Sequence, residues 1–486
     1  MQSISLYNSQ TRKVEELTPV SGTNEVTIYN CGPTVYKRQH IGNMRRFLNA
    51  DFLKRTLELL EYSVKDITNI TDVGHLTQDE IDEGEDKLEK EAREKQKTPQ
   101  DIAREQEALF FQDIDALSIK RSSAYPRATE HVQDMITLIE TLIKKGHAYV
   151  TQSGVYFDVT SFPNYGKLSG NTLDALDAGH RVAVQTDKKH PADFALWMLD
   201  TQHIQLWDSP WGKGYPGWHI ECSAMSMKYL GETIDIHTGG EDNRFPHHEN
   251  EIAQSEGTTG KPFVNIWMHN RHLLLGGKKM AKREGESITL DTLKEKKYSP
   301  LALRMLVFGH HYRSPIDFSW ELLDEYQGHA KSIRRLLQRI SHPTQPPLEK
   351  GRGNASLPLF KGESEGVQVD FMHYLADDLN TPQAFAIFLK TIKEINALLD
   401  SGNTEQAATK LSTLYAMDKV LGVIEPLQAE QPVHLIPESI TSLVQEREEA
   451  KRSKDFALAD SLREAIKNQG YTIEDTPTGP RIQKTA

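Results

Sequence analysis

Cysteine is scarce: only Cys31 and Cys222 occur among 486 residues, and no Cys-x-x-Cys pair exists. That argues against a disulfide framework and gives no compact zinc-binding motif, since isolated cysteines are usually small buried residues. No apolar run approaches the ~20 residues of a membrane helix. Met1 to Lys13 is polar and lacks a signal-peptide core. A cytoplasmic location with no membrane partner is therefore expected. Positive charge is also in deficit, with a formal net charge of -12. This disfavours a broadly basic nucleic-acid-binding surface, but phosphate binding depends on where Lys and Arg sit rather than on the total. Local clusters remain at Lys37-Arg38, Arg45-Arg46, Lys278-Lys279 with Lys282-Arg283, Arg334-Arg335 and Lys451-Arg452. Each of these alone is most often a solvated face.

What is present is ordinary for a soluble globular chain: 37% hydrophobic and 26% charged residues, enough for two to four domains. Val26 to Asn30 is a short β-rich run that ends in the loop signal Cys31-Gly32-Pro33-Thr34. A helical pattern follows His40-Ile41-Gly42-Asn43, with Ala50, Leu53, Leu57 and Leu60 on one face. A second strand is expected from Val64 to Ile70, completing the opening βαβ unit of a parallel nucleotide-binding sheet. The charged stretch Asp79 to Lys97 reads as a solvated helix. Thr98-Pro99-Gln100-Asp101 marks the start of another. A helix over about Thr129 to Lys145 precedes a hairpin, Tyr149 to Val159, turning at Ser153-Gly154. Strands resume at Thr233 to His237 and Val264 to His269, and Leu301 to about Leu421 is mostly helical. Asn380-Thr381-Pro382 is a further helix start, and a Pro/Gln-rich linker leads to two helices and a strand-like end.

Three groups of residues could carry chemistry. His40 to Asn43, after a strand and at a helix start, suits an anionic ligand, although it equally describes a loop histidine and a capping asparagine. Lys278 to Arg283, after Gly276-Gly277, could neutralise a transferring phosphate or be a plain basic loop. His247 and Glu251 share one helix face, and with thiolates they would make a zinc set, though the same residues describe a capped helix start. Spacing alone does not establish a metal site.

Longer stretches carry more information. CGPTVYKRQHIGN, PGWHIECSAMS (Pro216 to Ser226) and GGEDNRFPHHENEIAQSE (Gly239 to Glu256) resemble the signatures of cysteinyl-tRNA synthetases. KKMAK resembles the Lys-Met-Ser-Lys loop of class I synthetases, and the resemblance continues through DLNTP and REEAKRSKDFALADSLREAIKNQG to the C-terminal region. It implies zinc ligands at Cys31, Cys222, His247 and Glu251. It implies catalytic and ATP-binding roles for His40, Gly42, Asn43, Lys279 and Lys282, and pocket positions at Gly32, Thr71, Trp218 and Asp242. ATP, with accompanying Mg²⁺, L-cysteine and tRNA(Cys) are the implied partners, one Zn²⁺ per chain the implied cofactor, and a monomer the implied state.

The implied fold is α/β: a class I Rossmann-type catalytic domain with an inserted α/β domain, then an α-helical bundle and a small C-terminal anticodon-binding domain. The expected segments are 1–110, including the charged helix 79–97, then the insertion 111–205, the second catalytic half 206–270 and the lysine-loop segment 271–325. The bundle follows at 326–425 and the last domain at 436–486. Asn43 stands where the family usually has histidine, Ala281 where it has serine, and Val73-Gly74-His75-Leu76 where Asp-Lys-Ile-Ile is common. A related ligase joining cysteine to an amino sugar, and an inactive tRNA-binding paralogue, are the competing readings. The C-terminal unit argues against the first, and the intact ligand set and Lys282 against the second.

Overall fold

The structure is a computed structural model, and it describes residues 2–74, 76–78, 83–172, 187–199, 203–279, 287–340, 363–429, 438–476 and 479–484. The chain divides into two compact units, the first formed by Met1–Gly328, Val369–Ala386 and Lys419–Leu421.

The first unit opens with the hairpin β1 (Ser5–Asn8) and β2 (Lys13–Glu16), followed by β3 (Glu25–Asn30), α1 (Ile41–Leu59) and β4 (Ser63–Thr68). Burial of α1 is wider than the single stripe read from the sequence. Leu53, Leu57 and Leu60 are buried, but so are Met44, Arg45, Leu48, Asp51 and Phe52 on other sides. The expected charged helix 79–97 is a misreading in part. The pair β5 (Leu76–Gln78) and β6 (Glu83–Asp86) precedes a shorter helix, α2 (Lys87–Lys95), while 79–82 lie outside the described residues. Leu88, Ala92 and even Glu91 are buried, Glu91 against Lys37, so α2 packs rather than floats. α3 (Pro99–Ala116) starts as its sequence predicts: Thr98 Oγ1 accepts the Asp101 N–H and Pro99 fills the first turn.

Next come α4 (Val132–Lys145) and the strands β7 (Ala148–Val150), β8 (Gly154–Phe157), β9 (Phe194–Met198) and β10 (Tyr215–Pro216), which form an antiparallel sheet in the order β10-β9-β8-β7. α5 (Trp218–Leu230), β11 (Ile234–Gly240), α6 (His247–Thr259) and β12 (Val264–Asn270) return the chain to the main sheet. That sheet is wholly parallel, ordered β12-β11-β3-β4. From β3 the chain crosses outward to β4, and from β11 it crosses the other way to β12. The crevice between the ends of β3 and β11 is therefore the topological switch point, where ligands of such sheets bind.

Both faces of the sheet are covered. One core joins Tyr29, Ile67 and Trp267 to α4, α5, α6 and the antiparallel sheet; the other joins Val26, Ile28, Ile236 and Ile266 to α1 and the N-terminal hairpin. Each large apolar side chain so buried contributes about 1.5–3 kcal/mol. The hairpin β13 (Leu273–Leu275) and β14 (Lys278–Lys279) follows, then α7 (Leu290–Glu295), α8 (Pro300–Phe308) and β15 (Ile316–Phe318), which pairs parallel with β13.

The second unit comprises His329–Gln368, Ile387–Asp418 and Gly422–Ala486. Its helices come from α9 (Trp320–Ile340), α10 (Glu363–Ala376), α11 (Thr381–Asp400), α12 (Thr404–Leu421) and α13 (Ile424–Ala429), the first four shared in part with the first unit. Arg339 donates to Asn396 and Asp400, both at 2.6 Å, cross-linking two of them. The last residues form α14 (Glu438–Arg452), α15 (Phe456–Asn468) and the hairpin β16 (Tyr471–Thr476) and β17 (Gly479–Lys484), packed on Ile440, Val444, Ile466 and Ile473. Asp475 accepts both arms of Arg447, at 2.9 and 2.8 Å. Among the described residues no helix is long and apolar enough to cross a membrane.

Candidate metal centre and adjoining pocket

Cys31 follows the last residue of β3, at the carboxyl end of a parallel strand and beside the switch point. Its neighbour Gly32 has no room for a side chain: a Cβ there would lie 1.5 Å from the Asn69 carbonyl oxygen. The Gly32 N–H donates to Asn69 Oδ1 at 2.7 Å, so the loop is pinned close to its neighbour. Cys222 comes from α5, and His247 and Glu251 from successive turns of α6. α6 is unusual in being both polar and buried from His247 to Ser255. Several of its polar groups are matched: Glu249 accepts the Ser169 N–H at 2.8 Å, Asn250 accepts the Tyr165 hydroxyl at 2.6 Å, and Gln254 accepts the Ser223 hydroxyl at 2.5 Å. Buried hydrogen bonds of this kind hold the side chains that make them in one arrangement.

The fold thus brings Cys31, Cys222, His247 and Glu251 together, with one donor atom of each within 4.8 Å of all the others and all four buried. His247 Nε2 faces Cys222 Sγ at 3.5 Å and Glu251 Oε1 at 3.1 Å, while its Nδ1 lies 2.6 Å from His219 Nδ1. One ring nitrogen aimed at the cluster and the other held by an outer partner is the arrangement of a metal-ligating histidine. Glu251 Oε1 is buried and receives no well-aligned hydrogen bond among the described residues, a cost that a cation would remove. The donor set of two thiols, an imidazole and a carboxylate therefore fits a tetrahedral metal ion.

Sequence reasoning missed the histidines around this set. His237 on β11 and His248 on α6 complete a second group with Cys31 and Glu251. His248 Nε2 lies 3.1 Å from Cys31 Sγ and its Nδ1 2.8 Å from His269. His237 Nε2 lies 2.9 Å from Glu251 Oε2, which leaves it holding the carboxylate in place. The only available signal was density: His219, His237, His247, His248 and His269 fall within 51 positions of the sequence.

Proton affinities reflect the crowding. Burial raises Cys31, but the hydrogen bond with Cys222, together with the positive charge of His237 and Arg46, leaves Cys31 below the ordinary thiol value. The same bond, with burial behind it, pushes Cys222 well up. Burial raises the Glu251 carboxyl, partly offset by His237; burial would lower His237, but Glu251 lifts it. The carboxylate and imidazolium thus stabilise each other's charged forms in the interior.

The remaining predicted residues surround this cluster or lie towards the start of α1. Trp218 packs on the His247 ring at a centroid distance of 4.6 Å. Thr71 donates to Glu221 at 3.0 Å and accepts from Asn69 at 3.1 Å, tying its loop to α5. His40 is the N-cap of α1, its Nδ1 accepting the Asn43 N–H at 3.1 Å. Asn43 is the third residue of the helix and donates its amide to Gln39 at 2.7 Å. Gly42 lies in the same first turn. Lys279 on β14 pairs with Asp242 at 2.9 Å, both about half exposed. Burial raises Asp242, but Lys279, with His272 and Arg46 behind it, brings the carboxyl below its usual value. Lys282 and Ala281 lie outside the described residues, as does His75.

Residues 17–328 match the family described as tRNA synthetases class I (C) catalytic domain, and 370–425 match the DALR domain. Cysteine–tRNA ligase of Chlorobaculum tepidum is 42% identical over 100% of this chain and 99% of its own length. A cysteine–tRNA ligase of Thermus thermophilus is 41% identical over 98% of both chains, and that of Methanosarcina acetivorans is 41% identical over 99% of both. The chain belongs to the cysteine–tRNA ligase family of class I synthetases. Among solved structures, methionyl-tRNA synthetase of Mycobacterium tuberculosis with methionyl-adenylate superposes with a TM-score of 0.54 at 13% identity, covering 83% of this chain and 91% of that one. At that identity the likeness speaks for the fold alone: a class I catalytic domain with mixed α and β content, followed by a helical domain.

Proposed function

We propose that this chain activates L-cysteine with ATP, forming cysteinyl-adenylate and pyrophosphate, and transfers the cysteinyl group to the 3′ end of tRNA(Cys). The observation that carries the reading is the buried convergence of Cys31, Cys222, His247 and Glu251 beside the switch point of the sheet. Zn²⁺ held by these four residues would supply a soft Lewis acid that takes a substrate thiolate in preference to a hydroxyl. Selection of this kind can reach roughly 10⁴–10⁵ without an editing step.

The chain's own residues do the rest. Trp218, against His247, would wall the space beside the donors, and Gly32 and Thr71 would line it from the β3 and β4 ends. His40 and Asn43 stand at the amino end of α1, where the helix dipole favours an anion. ATP, with its Mg²⁺, would lie there. Lys279 would exchange Asp242 for the triphosphate, and Lys282 would join it as charge moves onto the leaving pyrophosphate. With so little covalent work required, alignment of carboxylate and α-phosphate sets the rate. We assign the insertion 111–205 no editing role, and the bundle 326–425 and the C-terminal segment 436–486 to tRNA recognition.

Cysteine-dependent pyrophosphate exchange followed by charging of a tRNA(Cys) transcript tests the reading. Both activities are expected. Exchange without charging would redirect it to an acceptor other than tRNA, such as an amino sugar.

A further inference from the structure

Arg45 is fully buried, yet it has no carboxylate partner within ion-pairing distance among the described residues. It sits one turn into α1 from His40, and its guanidinium donates to four backbone carbonyls instead. Nη1 reaches Arg271 O at 2.8 Å and His272 O at 2.7 Å; Nη2 reaches His311 O at 3.2 Å and Ser314 O at 2.5 Å. The first pair lies immediately before β13, and the second leads into β15. These two strands pair with each other, and β13 carries β14 with Lys278 and Lys279 through a two-residue turn. Gly276 and Gly277 both have positive φ (59° and 75°), as that turn requires. A single guanidinium therefore grips both strands on which the lysine hairpin stands.

The grip is expensive to maintain. Burial, opposed in part by Glu241, lowers the guanidinium to about 10. Its Nε is also buried and has no acceptor among the described residues, so the charge is held by the four carbonyl bonds alone. An apolar residue here would avoid burying a charge, but it would leave these four carbonyls without this donor.

We propose that Arg45 is a positioning residue for adenylate formation: it fixes the lysine hairpin against the helix that begins at His40, so that both sides face one triphosphate. The proposal rests on the reading of His40, Lys279 and Lys282 as the phosphate-side groups. It places Arg45 in no contact with substrate. Its effect should appear on the ATP side of the kinetics and leave the cysteine side alone.

Pyrophosphate exchange is measured on the full-length, zinc-loaded protein and on Arg45→Met and Arg45→Lys. For Arg45→Met, kcat is expected to fall about 10–100-fold, because small misplacements of catalytic groups have costs of that order. The KM for ATP should rise while the KM for cysteine and the zinc content per chain hold steady. Trypsin should cleave after Lys278 and Lys279 faster than in the unaltered protein. Arg45→Lys, whose ammonium reaches fewer carbonyls, should fall between the two.

A lowered melting temperature with unchanged kcat would overturn the proposal, as would equal changes in both KM values. Should Arg45→Met fail to fold, Arg45→Lys decides: reduced kcat at constant cysteine KM supports the proposal, and unaltered kinetics sink it. Absence of exchange in the unaltered protein would sink the underlying reading and this proposal with it. Unaltered kinetics in the variants sink the proposal alone.

Discussion

At the donor cluster every candidate ligand is buried, and His247 and His248 are each held from behind by another histidine. At the proposed phosphate end Lys279 stands half exposed on a short hairpin, facing a similarly exposed Asp242. The two regions lie in the same unit, but on the proposed reading they serve different tasks. Exposed pairs are worth only about 0–1 kcal/mol, so Lys279 can leave Asp242 for a phosphate at little cost. Glu251 and His237 have no such freedom, because separating them leaves charge uncompensated in the interior. Discrimination between a thiol and a hydroxyl calls for fixed donors, whereas neutralising a departing pyrophosphate calls for groups that can change partners.

Cys222→Ser should break the rigid side most severely. Cysteine-dependent exchange is expected to fall by roughly 10³-fold or more, on the scale of removing a group the transition state requires, and bound zinc, read by mass spectrometry, should drop with it. Gly32→Ala comes next. Its Cβ would collide with the Asn69 carbonyl, so the loop carrying Cys31 must shift. A stability loss of about 1–3 kcal/mol in denaturant titration is expected, with a clear fall in cysteine affinity.

The exposed side should respond differently. Lys279→Ala is expected to leave the melting temperature almost unchanged, since its pair lies at the surface. Exchange should slow by about 10-fold with cysteine affinity preserved. A stability change as large as that of Gly32→Ala would erase the contrast between the two regions.

The smallest effect concerns pH. Burial, opposed by hydrogen bonds from Thr129, pushes the Asp72 carboxyl up to about 6. Its folded value lies above its unfolded one. The contribution is therefore present below about pH 4 and lost as pH rises through 6, at most about 2–3 kcal/mol. Asp72→Asn should flatten that part of the curve of melting temperature against pH.

Local features were the most legible in the sequence. Thr98-Pro99 capped a helix as expected, and the Ser153-Gly154 turn lies between paired strands, with Tyr149 opposite Tyr156. Such signals act within a few residues, so neighbours in sequence suffice to read them. The charged stretch after Gln78 misled because Leu88 and Ala92, few among many charges, decide how it packs. The outer histidines were invisible for a different reason. His219, His237, His248 and His269 stand on four separate elements, and only the tertiary fold makes them neighbours. Arg45 looked like half of a basic cluster, but burial makes it an anchor.

The central claim, that the buried donors select a thiol, is tested most directly by pyrophosphate exchange with cysteine against serine, on protein stripped of metal and then reloaded with zinc. Cysteine-dependent exchange should vanish on stripping and return with zinc, with serine staying below cysteine by about 10⁴-fold. Comparable exchange with serine, or full cysteine activity in the stripped protein, would contradict the account.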